Sequence, residues 1–270
     1  MDLYVNVRGS GEAVLMVHGI ISDASFFDGA ADVLKDKYKV MAYDRRGYGK
    51  NEDSADAELR SAAEDTLQQF TVAAQAEDAA NVIKMYSDGP AWVFGNSAGG
   101  LISIELALKF PELVKGLILL EPSLVYDDES VRLIEEWNRE LNGYVESKKI
   151  KRALPAFSRV IGGEASAEKM TLEQMKQTYK NLTNFMYGEL NEVQHYRPDI
   201  ETVRGIKCPV KIFVTADGQD SIFAKTSVAG AKTVGWDIIE VPGRHNMAKE
   251  KATEFAKALD ETIEEMKSEI

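Results

Sequence analysis

Cysteine is almost missing from this chain. One residue, Cys208, in 270 excludes an internal disulfide, and with only three histidines no Cys and His cluster has the spacing of a zinc site. Cys208, directly before Pro209, reads as a small apolar residue at the entry of a strand. Positive charge is also short: 32 Lys and Arg stand against 44 Asp and Glu, a net charge of -12. That balance opposes phosphate backbones and anionic membranes, which both need basic clusters, so neither nucleic acid nor membrane is expected as a partner. The acidic residues are dispersed, as on an ordinary solvated surface. No apolar run approaches the roughly 20 residues of a membrane span. Residues 1–8 lack the basic-then-apolar order of a secretory leader, so the expected location is cytoplasmic.

What the chain does have is alternation. Short apolar runs at 13–17, 38–43, 91–95, 116–120, 210–215 and 236–241 are separated by longer stretches of helical spacing. Nearly continuous apolar runs bounded by turns are the mark of strands buried on both faces of a parallel sheet. Helices are expected over 28–36, 71–86, 98–109 and 246–266, the last carrying Phe255, Leu259, Ile263 and Met266 at spacings of three and four. Between Pro122 and Gly205 the rhythm changes, with no buried strand run and helical segments at 129–141, 144–154 and 168–187. The organisation expected is one core built from 1–122 and 206–270, with a helical lid inserted at 123–205 over the carboxyl edge of the sheet.

The chemistry-bearing stretch is Gly95, Asn96, Ser97, Ala98, Gly99, which fits G-x-S-x-G between a strand run and a helical pattern. Small residues two before and two after the serine let the backbone turn sharply enough to lift its hydroxyl above the sheet. A nucleophilic serine needs a base. Of His18, His195 and His245, the last follows the final strand run in VPGRHNM, at the edge where the serine should stand; His195 reads as a surface residue of the lid. The base in turn needs a carboxylate to fix its tautomer. Asp217 and Asp220 follow the strand run at 210–215, and Glu121 ends the run at 116–120, leaving three candidates. An oxyanion needs two backbone N–H donors: Ala98, at the start of the helix, and Ile20, in the His18, Gly19, Ile20 loop after the first apolar run. His18 is expected to prop that loop rather than to react. Asp44, Arg45, Arg46, Gly47, Tyr48 and Gly49 read as a structural turn, and Phe26, Phe27, Trp137, Tyr144, Phe157, Phe185, Met186 and Tyr187 as packing or pocket-wall side chains.

Taken together, HGI (18–20), YDRRGYGKN (43–51), GNSAGG (95–100), FPELVKGLILLEPS (110–123), DGQD (217–220) and GRHNM (243–247) resemble the α/β-hydrolase fold superfamily. The likeness is to its lid-bearing esterase branch, which also holds cofactor-free haloperoxidase-like enzymes and peptidases of the proline iminopeptidase type. The resemblance implies a mostly parallel, doubly wound sheet of about eight strands with a helical lid. It also implies Ser97 as nucleophile, His245 as base and Asp220 as the acid ending a G-x-x-D turn, with Asp217 standing where the family carries glycine. Some relatives take the acid from the preceding strand, which keeps Glu121 open. The implied activity is cleavage of a small carboxylic ester or thioester through an acyl-enzyme, with no metal or organic cofactor, by a monomer or homodimer. Lactone, amide or carbon–carbon hydrolysis and perhydrolysis are alternatives for the same triad, and a non-catalytic ligand-binding scaffold is a further one.

Overall fold

The computed structural model describes residues 2–51, 70–160 and 170–269. Seven strands form one sheet in the order β1-β3-β2-β4-β5-β6-β7. They are β1 (Val5–Arg8), β2 (Glu12–Val17), β3 (Tyr38–Tyr43), β4 (Ala91–Asn96), β5 (Val114–Leu120), β6 (Val210–Thr215) and β7 (Asp237–Val241). Only β1 runs antiparallel, against β3; every other pairing is parallel. All six apolar runs are strands, and β1 is the addition. The eighth strand implied by the resemblance has no counterpart among the described residues.

Alternation along the strands builds two apolar layers. Val14, Met16, Trp92, Phe94, Ile118 and Leu120 face a layer shared with the helices Asp28–Leu34 and Ala252–Lys267. Leu15, Val17, Val93, Leu117 and Leu119 face the other, shared with Val72–Tyr86, Ala98–Lys109 and Ile222–Val234. A period of two with both sides apolar is what a sheet covered on both faces demands.

The chain leaves β2 for β3 on one side of the sheet and later returns to β4 on the other, so β2 and β4 are neighbours whose following loops diverge. Such a switch point opens a crevice at the carboxyl ends of the strands, the usual seat of a ligand in an open α/β sheet.

The described residues between β5 and β6 are largely helical, with boundaries that differ from those expected. One helix, Asp128–Glu146, replaces the two expected at 129–141 and 144–154; Gly143 sits on its exposed side with open space around it and does not break it. A helix follows at Ala153–Val160. Thr171 closes a capping box on Leu172–Asn184, which runs on through a π-helical turn, Phe185–Glu189, into Leu190–His195. The start of the helix expected from 168 lies outside the described residues. The final helix is two pieces, Met247–Glu250 and Ala252–Lys267, parted at Lys251, whose φ of -127 and ψ of 52 leave the helical region. Trp137, Leu141, Phe157, Leu182, Phe185 and Phe223 form a third apolar cluster, against which Ile20 and Ile21 pack. No described helix is long and apolar enough to cross a membrane.

Candidate active site

β4 ends in Asn96, and the helix Ala98–Lys109 starts one residue later, so Ser97 alone must make the turn. It does so at φ 55 and ψ -124, a conformation an L-residue holds only when its surroundings insist. The Ser97 N–H donates to the Leu120 carbonyl at 2.9 Å and the Gly100 N–H to the Ser97 carbonyl at 2.8 Å, which fastens the elbow. The flanking glycines are required by contact. A Cβ on Gly95 would stand 2.7 Å from the Gly100 Cα, and one on Gly99 would run into the Val17 carbonyl. Ala98 is the first helical residue, so its N–H has no acceptor within the helix and points where the helix dipole favours negative charge.

Across the switch point lies the loop that comes after β2. The His18 ring is buried and bonded at both nitrogens: Nε2 accepts from the Arg45 N–H at 3.0 Å, and Nδ1 donates to the Gly19 carbonyl at 2.8 Å. Burial, with the nearby Arg45 charge, pushes its pKa well below the ordinary imidazole value, so it stays neutral and props the loop as expected. Arg45 Nη2 donates to the same Gly19 carbonyl at 2.9 Å. A trans peptide is planar with C=O and N–H opposed, so two donors holding the Gly19 oxygen on the buried side turn the Ile20 N–H the other way. Ile20 itself lines the cavity there.

Arg45 is wholly buried. It pairs with the equally buried Glu189 of the π-helical turn at 2.5 Å, bonds Gln75, and lies over the Tyr48 ring. Tyr48 donates to Glu189 as well. Asp44 accepts from the Ala24 and Lys50 N–H groups, each at 2.7 Å. The turn at 44–49 is structural, as read, and it also ties the helical segment to the loop after β2.

His245 stands past β7, buried, its ring stacked on Phe223 with centroids 4.9 Å apart. Its carboxylate partner is Glu121: Nδ1 lies 2.5 Å from Oε2. Glu121 Oε1 accepts from the Thr215 N–H at 3.0 Å and the Thr215 hydroxyl at 2.6 Å. Burial pushes the Glu121 carboxyl up, but the bonds from His245 and Thr215 outweigh it and hold the pKa below the ordinary value. The expectation for Asp220, and for its alternate Asp217, gives way here. Asp220 is fully exposed, with Lys225 Nζ at 4.0 Å, and Asp217 is exposed, with Lys251 Nζ at 3.7 Å. The physical reason is sheet order: β5 lies beside β4, Leu120 opposite Asn96, so a side chain just past β5 reaches the space behind the elbow. Glu121 adopts φ 44 to do so, and Ile21, Ser97 and Ser123 also have positive φ along this edge. His195 is exposed and bonds the Asn191 carbonyl, a surface residue as expected.

Ser97 and His245 line one cavity of about 390 Å³ with Gly19, Ile20, Phe157 and Phe223. Phe26 joins its wall, whereas Phe27 turns into the core against Phe94. Met170 and Phe223 line it too and went unread in the sequence, since neither stands in a recognisable motif. Exposed Lys249 and Glu250 mark the side open to solvent. Among the described residues no group of three His, Cys, Asp or Glu side chains could hold a metal ion.

A family model described as alpha/beta hydrolase fold matches residues 12–229. The chain belongs to that family. Along nearly its whole length it is 29% identical to the uncharacterized hydrolase YraK of Bacillus subtilis, over 98% of this chain and 94% of that one. It is also 29% identical to a 2-(acetamidomethylene)succinate hydrolase of Mesorhizobium japonicum, over 50% of this chain and 44% of that protein. Among solved structures, an esterase of Exiguobacterium antarcticum superposes with a TM-score of 0.70 at 18% identity, covering 97% of this chain and 95% of that one. A thermophilic esterase of Thermogutta terrifontis does so with 0.65 at 21% identity, covering 98% and 93%. Those structural likenesses bear on the fold, which is the one expected, and the expectation of an α/β-hydrolase enzyme stands with the family.

Proposed function

We propose that the protein is a serine hydrolase that cleaves a small carboxylic ester or thioester through an acyl-enzyme. One observation carries the reading: a serine lifted on a strained strand-to-helix elbow shares a cavity with a histidine whose far nitrogen is held by a buried carboxylate. In this scheme Glu121 keeps the His245 proton on Nδ1, which leaves Nε2 free to take the Ser97 proton as Oγ attacks the acyl carbon. The Ile20 and Ala98 N–H groups receive the oxyanion, and His245 then protonates the leaving alcohol or thiol. Water, deprotonated by His245, attacks the acyl-enzyme and restores Ser97. Every step uses side chains and amides of this chain. The described helices between β5 and β6 act as a cap, whose Leu154, Phe157 and Met170 line the cavity.

The test is direct. Wild-type protein should hydrolyse p-nitrophenyl acetate or butyrate and gain the mass of a fluorophosphonate adduct on Ser97, and Ser97→Ala should lose both while keeping its circular dichroism. Wild-type turnover in the alanine variant refutes the nucleophile. An intact wild-type protein that takes no adduct points instead to a binding scaffold.

A further inference from the structure

Beyond the main cavity a second, much smaller chamber of about 30 Å³ also touches Ser97 and Ile20, and with them Ala98. Its other wall comes from the helical segment and carries Trp137, Asn138, Gln194 and Arg197. Three of these are out of place in an apolar lining. Trp137 is 8% exposed and Gln194 7%, yet Trp137 Nε1, Gln194 Nε2 and Asn138 Oδ1 have no hydrogen-bond partner. A buried polar atom left unpaired costs about 1–3 kcal/mol, so three around one space ask for an occupant. At the rim of the chamber the exposed Arg197 adds a positive charge: it donates to the Tyr196 carbonyl at 2.8 Å and pairs with no carboxylate among the described residues.

Two N–H donors and a guanidinium at the rim suit an acceptor of negative charge, and a half-turn of the Asn138 amide, which exchanges its oxygen for its NH₂, makes it a further donor. The volume holds about two or three water-sized atoms, enough for a carboxylate and little else. Position decides which half of the substrate enters. The large cavity reaches solvent at Lys249 and Glu250 and has room for a leaving group, whereas the small chamber, with Arg197 at its rim, suits the short part that stays bound to Ser97. We infer that this chamber is an acyl subsite for the free carboxylate of a short dicarboxylic half-ester, bound by Trp137, Gln194 and Arg197. The inference rests on the serine hydrolase reading and narrows its substrate class.

Two p-nitrophenyl esters of nearly equal shape test it: the half-ester of succinic acid and the ester of 4-methylpentanoic acid. Wild-type kcat/KM should favour the succinic half-ester, and Arg197→Met should cut that preference by about 30-fold, Gln194→Leu by about tenfold. Arg197→Lys, which keeps the charge, should recover part of it. Arg159→Met, on the exposed Arg159 that pairs with Glu140, should leave the preference unchanged. Preference for 4-methylpentanoate, or an unaltered ratio in Arg197→Met, overturns the subsite. Succinate itself, titrated calorimetrically into wild type and Arg197→Met, separates the two levels of the argument. Succinate bound by wild type and lost in the variant, without turnover of either ester, keeps the subsite and refutes the hydrolase. Turnover of both esters without succinate binding or carboxylate preference keeps the hydrolase and assigns the chamber to ordered water.

Discussion

Replacing Glu121 by glutamine is the sharpest probe of the catalytic scheme, because the structure dictates what the amide must do. Thr215 supplies two donors to Oε1, its N–H at 3.0 Å and its hydroxyl at 2.6 Å, so the glutamine carbonyl has to occupy that position. Its NH₂ group then faces His245 Nδ1, where the carboxylate oxygen now lies 2.5 Å away. An N–H against an N–H is repulsive, so the ring must shift its proton to Nε2 and present a bare Nδ1. That tautomer cannot accept the Ser97 proton. Losing the orienting carboxylate of a triad costs on the order of 10⁴ in kcat, or about 5.5 kcal/mol of activation free energy. Because the hydrogen-bonding shape is preserved, folding should survive. The assay is steady-state hydrolysis of p-nitrophenyl butyrate beside a urea melt, with Asp220→Asn and Asp217→Asn as companions that should stay within about twofold of wild type. If the glutamine variant retains more than a tenth of wild-type kcat, or if Asp220→Asn falls as far, the assignment of Glu121 is wrong.

Other consequences can be checked more briefly. Arg45→Met strands Glu189 in the interior without its counter-charge and should cost about 3–5 kcal/mol in a urea melt, while adding Glu189→Leu should recover a good part of it; additive losses would deny the coupling. Gly99→Ala places a Cβ against the Val17 carbonyl, which is backbone and cannot step aside, so solubility or melting temperature should fall sharply; an unchanged melt would refute the close approach. The His18 pKa lies well below 6.5 in the fold, so between the two values only the unfolded chain takes up the proton. The residue's contribution is therefore complete above about pH 6.5 and shrinks by up to about 1.4 kcal/mol per pH unit below it, until the folded imidazole itself protonates. Urea midpoints at pH 7.5 and 5.5 should diverge more in wild type than in His18→Asn, and parallel shifts would show that His18 carries no such linkage.

The sequence was legible where local chemistry and tertiary position coincide. A strained elbow leaves room only for small residues such as Gly95 and Gly99 beside the serine, and His245 comes after the last apolar run, so both could be read from the chain order. The six apolar runs needed only burial on two faces. The acid was harder, because three carboxylates end strands or follow them, and which one meets the imidazole depends on the lateral order of the strands. That order, with β5 beside β4, is invisible in one dimension. A faint signal existed: Glu121 directly follows a run of apolar residues and precedes Pro122, a poor place for a charge without an assigned partner. The helix Ile222–Val234, with Phe223 beneath His245, passed unread because its small residues carry little periodicity. Arg45 read as part of a turn and is one, but its partner Glu189 is 144 residues away and no local pattern links them.

Glu121 at a strand tip also changes what the stretch at 217–221 is for. With Glu121 at the His245 ring, that stretch is held by other bonds, the Asp217 N–H to the Gly243 carbonyl and the Ser221 N–H to the Gly218 carbonyl, each at 2.9 Å, and Gln219 Nε2 to the Glu240 carboxylate at 2.7 Å, while the Asp220 side chain projects into water. The outward side chain of residue 220 can therefore carry a label, attached through Asp220→Cys, at a place where a hydrolase drawing its acid from that loop would be silenced.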